Sequence, residues 1–452
     1  MTTTSIHPLI LKELSLIDQY GQKTPYHTWK ATLYVKDQPI QIPLVSKVHI
    51  KRDYLKDFGD RFRVIVKCDS AMYSNYIYPH RDNLKLTLVR KPVYVKGAGG
   101  KVDQLYQYMQ YDAILVSVSD DNVTGVNPFA GNKDMVNSHM MMNVELQITS
   151  RVLKRLKGST LSTNVRASVP IDAIRAILTN YSRDELDLAS EVIEGVDVAP
   201  GYSTEEADQV LVPQGTSLVD VPQVIHQNGK GIYQTGFSYY LQGNYWYVFS
   251  PFDVKRFEQG SYSKALTIIN VPKWQVPAIE KTYRDTGTQL IVIANGETKQ
   301  MDTTERAFMN QGVGAQYANA DKLLEEQDEY KDGKVSSTPR NYISAFTGTT
   351  RPDGVNPLNR DVKITANPSI EYGKIAERRG MYFGIIWDNA APESIYPGMP
   401  VKYIYISNGL PVALHGTVVG ISIDDTIANA DINNPIFSST CFLKVFLERS
   451  NV

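Results

Sequence analysis

Two cysteines, Cys68 and Cys441, serve a chain of 452 residues. They sit far apart in strand-like runs, RFRVIVKC and TCFLKVFL. That placement gives neither a disulfide framework nor zinc spacing, and both read as small core residues. Histidine is equally sparse: seven residues, with no HxH, HxxxH or HExxH among them. No metal and no cofactor is expected. Nucleophile signatures are missing as well, since G-x-S-x-G is absent and the lone S-x-x-K, Ser261 to Lys264, lacks its companion motifs. The glycine-rich KGAGGK at 96–101 fails as a phosphate loop, because Val95 and Val102 stand where a glycine and a Ser or Thr are required. Asp120-Asp121 and Asp424-Asp425 place carboxylates side by side, but neighbours in a turn or strand point apart. A glycosidase pair drawn from separate strands would leave no trace in a sequence. The expectation is a protein that is not an enzyme and has no catalytic residues.

Long hydrophobic runs are also wanting. None approaches the ~20 residues of a membrane span, and MTTTSIHPLILKEL has neither the basic start nor the apolar centre of a signal peptide. The chain is expected to be made in a reducing cytoplasm, to insert in no membrane, and to leave only as part of something larger. Net charge is −1, which conceals an asymmetry. Residues 1–160 carry a net +8 and the remainder a net −9; residues 184–220 hold ten acids and no Lys or Arg. Such a stretch is either a solvated face or a surface that repels nucleic acid or meets a basic face of another subunit. The basic residues are scattered along strands rather than clustered, which argues against a nucleic-acid reader.

What the chain does have is alternation and tyrosine. HTWKATLYVK puts Trp29, Ala31, Leu33 and Val35 on one face, RFRVIVKC does the same with Phe62, Val64, Val66 and Cys68, and NLKLTLVR with Leu84, Leu86 and Leu88. ILVSVS and NVELQITSRVL continue the pattern to residue 153, around a polar loop at 120–134. The middle block turns helical. VPIDAIRAILTNY carries an apolar stripe, SRDELDLASEVIEG reads as a second helix with a Ser182–Glu185 capping box and Gly195 past its end, and a short helix is expected near 217–228. From Lys264 strands resume: KALTIINV, TQLIVIA with an Asn295-Gly296 turn, DVKITA, MYFGIIW, VKYIYIS with an Asn408-Gly409 turn, VALHGTVVGISI and CFLKVFLER. Residues 300–360 interrupt them as a polar, acidic excursion. The expected fold is mainly β with an α+β insertion: an N-terminal barrel- or sandwich-like domain at 1–160, an insertion at 161–260, and a C-terminal antiparallel barrel-like domain at 261–452.

Tyrosine outnumbers phenylalanine 28 to 13, with 4 Trp. The concentration is greatest between Ile232 and Phe252, a hairpin with Gln242-Gly243-Asn244 at its tip and no charged residue. A hairpin this apolar needs a large surface to lie against. Tyr233, Phe237, Tyr239, Tyr245, Trp246 and Tyr247 are therefore candidates for a protein interface, the alternative being an intradomain core.

Three segments resemble the central hub proteins of contractile bacteriophage baseplates: IYPHRDNLKLTLVRKP; the block from LVPQGTSLVDVP to GIYQTGFSYYLQGNYWYVFSPFDVKRF; and YPGMPVKYIYISNGLPVALHGTVVG. In the first, IYP reads as the end of a strand. The resemblance implies two domains similar to duplicated tail-tube subunits, three copies forming a pseudo-sixfold ring, and a virion protein without enzymatic activity. Its partners would be itself as a homotrimer, the tube, the spike and baseplate wedge proteins, with DNA only as passing cargo. A receptor- or carbohydrate-binding virion module stays open as an alternative, as does a virion-associated lysin.

Overall fold

The computed structural model describes residues 8–93, 107–119, 141–185, 193–271, 281–301, 317–318, 356–357 and 368–448, apart from residues 23, 37, 82, 229–230, 295–297, 408 and 430–434. The readings at KGAGGK, the 120–134 loop, DVKITA and nearly all of the 300–360 excursion lie outside these residues. Helix α1 (Pro8–Tyr20) precedes seven strands: β1 (His27–Val35), β2 (Gln38–Gln41), β3 (Leu44–Asp53), β4 (Arg61–Asp69), β5 (Leu84–Pro92), β6 (Gln107–Ser119) and β7 (Met141–Ser150). Alternation does what it predicts: every second residue of β1 and β4 is buried, and Leu84, Leu86 and Leu88 line the core from β5. The IYP segment is a correction. It ends no strand, because α2 (Ser70–Met72) runs into a π-helical turn at Tyr73–Ile77 and a 3-10 turn at Tyr78–His80. The Asp69 carboxylate accepts the Met72 N–H at 2.6 Å, and Tyr73 and Ile77, four apart, bury on one side.

The middle block contains α3 (Arg151–Gly158), β8 (Thr160–Ser168), α4 (Pro170–Glu185), β9 (Gly195–Val198), β10 (Ala207–Ser217), α5 (Val221–Asn228), β11 (Ser238–Gln242) and β12 (Tyr245–Phe249). The strand expected to reach residue 153 stops at Ser150, because Leu153 and Leu156 point inward at helical spacing while Lys154 and Lys157 stay exposed. The expected capping box starts nothing either. Ser182 is fully buried inside α4, on the turn that follows Ile171, Ile174, Ile177 and Leu178. Gly195 opens β9, which pairs in parallel with β12. These elements gather their own apolar core, from Leu153 through Ile174, Val212 and Ile225 to Trp246 and Val248.

The last third supplies α6 (Arg256–Gln259), β13 (Ala265–Asn270), β14 (Tyr283–Asp285), β15 (Gln289–Ala294), β16 (Thr298–Met301), two-residue strands β17 (Tyr317–Ala318) and β18 (Asn356–Pro357), α7 (Pro368–Arg378), β19 (Gly380–Trp387), β20 (Pro400–Ser407), β21 (Leu410–Ile427) and β22 (Phe437–Glu448). Ser407 pairs with Leu410 across a two-residue turn in which Gly409 takes φ 81°, the left-handed conformation a tight hairpin requires. The expected Asn295-Gly296 turn lies outside the described residues, and β16 pairs with β19. Nor is this region purely antiparallel: β13 runs parallel to both β15 and β20. Its near-continuous burial is that of a strand covered on both faces, and α1 supplies the second cover, Leu14 and Ile17 packing on Ile269, Val271, Ile291 and Ile293.

Strands from both ends of the chain share one fifteen-stranded sheet. Within it β1–β7 form a first lobe and β13–β16, β19 and β20 a second, with β21 and β22 shared between them. Eight strands close a circuit, β1-β5-β6-β7-β4-β3-β21-β22 and back to β1, the closure being the single pair His27–Phe437. Long β21 serves both lobes. Its first half pairs with β20 up to Thr417; a bulge at Val418–Gly420 re-aims it; from Gly420 it pairs with β3. Along its other edge β22 pairs with it from Gly416 to Ile427, and also pairs with β19. One continuous core runs from Leu33, Val64 and Leu146 to Ile268, Val292 and Val401, so the lobe interior is packed with side chains.

Candidate interaction surface

The aromatic hairpin is where the insertion meets both lobes. β11 and β12 pair in register from Ser238–Phe249 to Gln242–Tyr245, with Gly243 at φ 60° in the first turn position. Most of its rings face inward. Tyr233 is 1% exposed, Tyr239 6% and Trp246 0%, taken up by the insertion core against Ile225, Val219 and Leu178. As surface residues these three are corrected: an uncharged hairpin finds its apolar cover within its own chain, on α4 and α5. Phe237 and Tyr247 are half-buried, Phe237 stacking on His226 and Tyr247 on Tyr396; Tyr245, 42% exposed, is the ring left to solvent. Burial holds the His226 imidazole down to about 4, so its Nδ1 accepts the Ile232 N–H at 3.1 Å as a neutral ring.

Polar bonds fix the hairpin to its surroundings. Arg52 and Asp60 form a two-pronged pair at 3.0 Å each, and the Tyr240 hydroxyl donates to Asp60 Oδ1 at 3.0 Å. Tyr54 donates to Gln242 Oε1 at 3.0 Å while Gln242 Nε2 donates to the Ile395 carbonyl at 2.8 Å, so one glutamine side chain spans the two lobes. Burial lowers the Arg52 pKa, but Asp60 outweighs it and the guanidinium is held more firmly charged than usual. None of this was legible in the sequence, where Arg52, Asp60 and Gln242 stand in three separate segments.

The second polar cluster lies at the seam that closes the first lobe. Asp425, 1% exposed, accepts from His27 Nε2 at 2.9 Å, Trp29 Nε1 at 2.8 Å and Ser439 Oγ at 2.6 Å; Arg90 donates to His27 Nδ1 at 3.3 Å and pairs with Glu393. Burial alone would raise the Asp425 pKa, yet these bonds and the nearby charges win and hold it below the usual carboxylate range. A Ser, a His and an Asp meet here, but the serine donates to the carboxylate and all three are buried, so no base activates a nucleophile. Asp424 turns to the other face, toward Lys47 and His49, each at 2.9 Å. The neighbouring carboxylates point apart, as strand geometry requires. Cys68, pushed up to about 12 by burial, is a core thiol, and burial raises Cys441 well above its ordinary value too. Among the described residues no three His, Cys, Asp or Glu side chains gather as a metal site, and no helix is long and apolar enough to cross a membrane.

No protein-family model and no curated protein sequence matches the chain. Among solved structures it is similar to the tail protein from Neisseria meningitidis MC58, with 11% identity over 94% of this chain and 98% of that one at a TM-score of 0.40. It is also similar to the 43 kDa tail protein of prophage MuSo2 from Shewanella oneidensis, with 10% identity over 92% and 96% and a TM-score of 0.42. A third is an E. coli component of the type VI secretion system described as structurally similar to the T4 bacteriophage tail proteins gp27 and gp5: 10% identity, 93% and 77% covered, TM-score 0.37.

Proposed function

We propose that this chain is a structural subunit of a contractile tail or a related injection device, serving as a hub that joins a tube to a spike. The observation that carries the reading is the pair of β lobes fused through the shared strands β21 and β22, with the insertion braced against both. Two lobes per chain give six lobes in three copies, the arithmetic needed to match a sixfold tube to a threefold spike. The three sequence segments resembling baseplate hubs support the same reading and fall on β5, the insertion hairpin and the β20–β21 turn. Because the core fills each lobe, any passage for DNA runs between copies, lined by outward faces. The exposed acids Glu194, Asp197, Glu205, Glu206 and Asp208 of the insertion would repel DNA from such a wall. Partners on this reading are two further copies, tube, spike and wedge proteins, in a virion tail assembled in the host cytoplasm. Light scattering and negative-stain images of the purified chain test it: a trimeric ring with six lobes is expected, and a monomer at assembly concentrations would remove its basis. The carbohydrate-platform alternative loses its most useful ring, since Trp246 is inside the insertion core.

A further inference from the structure

Arg256 is 4% exposed, yet among the described residues it forms no ion pair. Its Nη1 donates to the Gly398 carbonyl at 2.8 Å, while its Nε is enclosed without a partner. Buried guanidinium groups are ordinarily matched by an anion, because burial costs a lone cation its hydration. Here burial lowers the Arg256 pKa, and the charges of Asp253 and Asp197 fail to offset it. The cation is nevertheless held in place by the fold. Gly260, at φ 65°, ends α6, and Gly398, at φ 71°, sits so close to Phe249 that a Cβ would meet the ring at 2.3 Å.

What Arg256 borders is a half-open crevice of about 260 Å³ between the β9–β12 pair, the 261–263 segment and the Tyr396-Pro397 turn. Tyr247 and Tyr396, stacked on each other at 6.0 Å, form one wall, Tyr262 and Ser263 line another side, and exposed Asp197 stands at the rim. The volume is below the roughly 300 Å³ at which drug-sized pockets begin, and suits one side chain or one small acid. A single cation with an acid at the rim favours a monoanion; a phosphate dianion would find no second positive charge and would be repelled by Asp197.

We propose that this crevice is a binding site for a carboxylate on a short stem, with Arg256 receiving the carboxylate and the stem lying against the wall made by Tyr247 and Tyr396. The acid comes either from a side chain of a second copy of this chain or from a free small molecule, and the site stands whether or not the chain is a hub. Ligand-observed saturation-transfer NMR on the full chain tests it, with propionate as probe and inorganic phosphate as competitor. Saturable propionate binding is expected, undisturbed by phosphate and at least tenfold weaker in Arg256→Gln. Ser263→Trp, which fills the crevice from an exposed position, should abolish it and keeps the test open if the Arg256 variant fails to fold. Absence of saturable binding, equal binding by Ser263→Trp, or displacement by phosphate would overturn the proposal. Light scattering then separates the sources: self-association lost in Ser263→Trp and dissolved by propionate assigns the acid to a second copy, and unchanged self-association assigns it to a free ligand.

Discussion

Asp425 binds four elements of the first lobe's seam through one carboxylate: β1 through His27 and Trp29, β22 through Ser439, its own β21, and β5 through the Arg90 that bonds His27. Removing one partner of a buried ionic cluster leaves the others unmatched, so Asp425→Ala should cost about 3–5 kcal/mol of unfolding free energy, read from denaturant melts. Two residues set the response to acid. His226 has a depressed folded pKa of about 4 against an ordinary 6.5, so its stabilisation is complete above pH 6.5 and is lost as pH falls toward 4. The loss should reach roughly 3 kcal/mol at ~1.4 kcal/mol per unit, and be absent in His226→Asn. Asp425, also depressed, adds a second loss below about pH 4. Thermal melts at pH 7, 5.5, 4 and 3 check both, and a melting temperature flat from pH 7 to 4 would count against the buried neutral imidazole.

The element that sequence reading described best is the strand. Period-two alternation names the buried set in β1, β4, β5 and β22 because each of these strands has one packed face. It fails where that premise fails. β13 and β15 are covered on both faces, the second by a helix from the opposite end of the chain, and no local pattern announces a partner some 250 residues away. The aromatic hairpin was visible as a hairpin, but its destination was not: whether Tyr239 faces a neighbour or its own helices depends on α4 and α5, whose packing no local spacing encodes. Trp246→Ala should therefore destabilise the insertion by about 3–5 kcal/mol, seen as lost hydrogen-exchange protection in β11, β12 and α5. Tyr239→Glu should likewise disturb folding of the insertion before it disturbs any oligomer. In β21 the constraint is steric: a Cβ at Gly416 would lie 1.8 Å from the Phe446 carbonyl, so Gly416→Ala forces the β21–β22 ladder apart and should cost about 1–3 kcal/mol or more.

At the scale of the molecule, the two lobes are not separable pieces of chain. The first needs β21 and β22 to close, and the second needs α1 from residues 8–20 to cover β13 and β15. A fragment of residues 1–160 should thus fail to fold alone, and deleting residues 437–452 should unfold both lobes together; circular dichroism and proton NMR dispersion decide each case. A well-dispersed spectrum from the 1–160 fragment would mean that the shared strands only decorate a self-sufficient lobe.

The bulge that lets β21 change partners also dictates an order of events during synthesis. β3 leaves the ribosome nearly 370 residues before the strand that will cover its open edge. At roughly 5–20 residues per second that is a wait of about 20–70 seconds with a bare hydrogen-bonding margin in a crowded cell. A nascent chain in that condition is a natural client for holding chaperones, and lowering the growth temperature or raising chaperone supply should increase the soluble yield far more than any change to the finished surface.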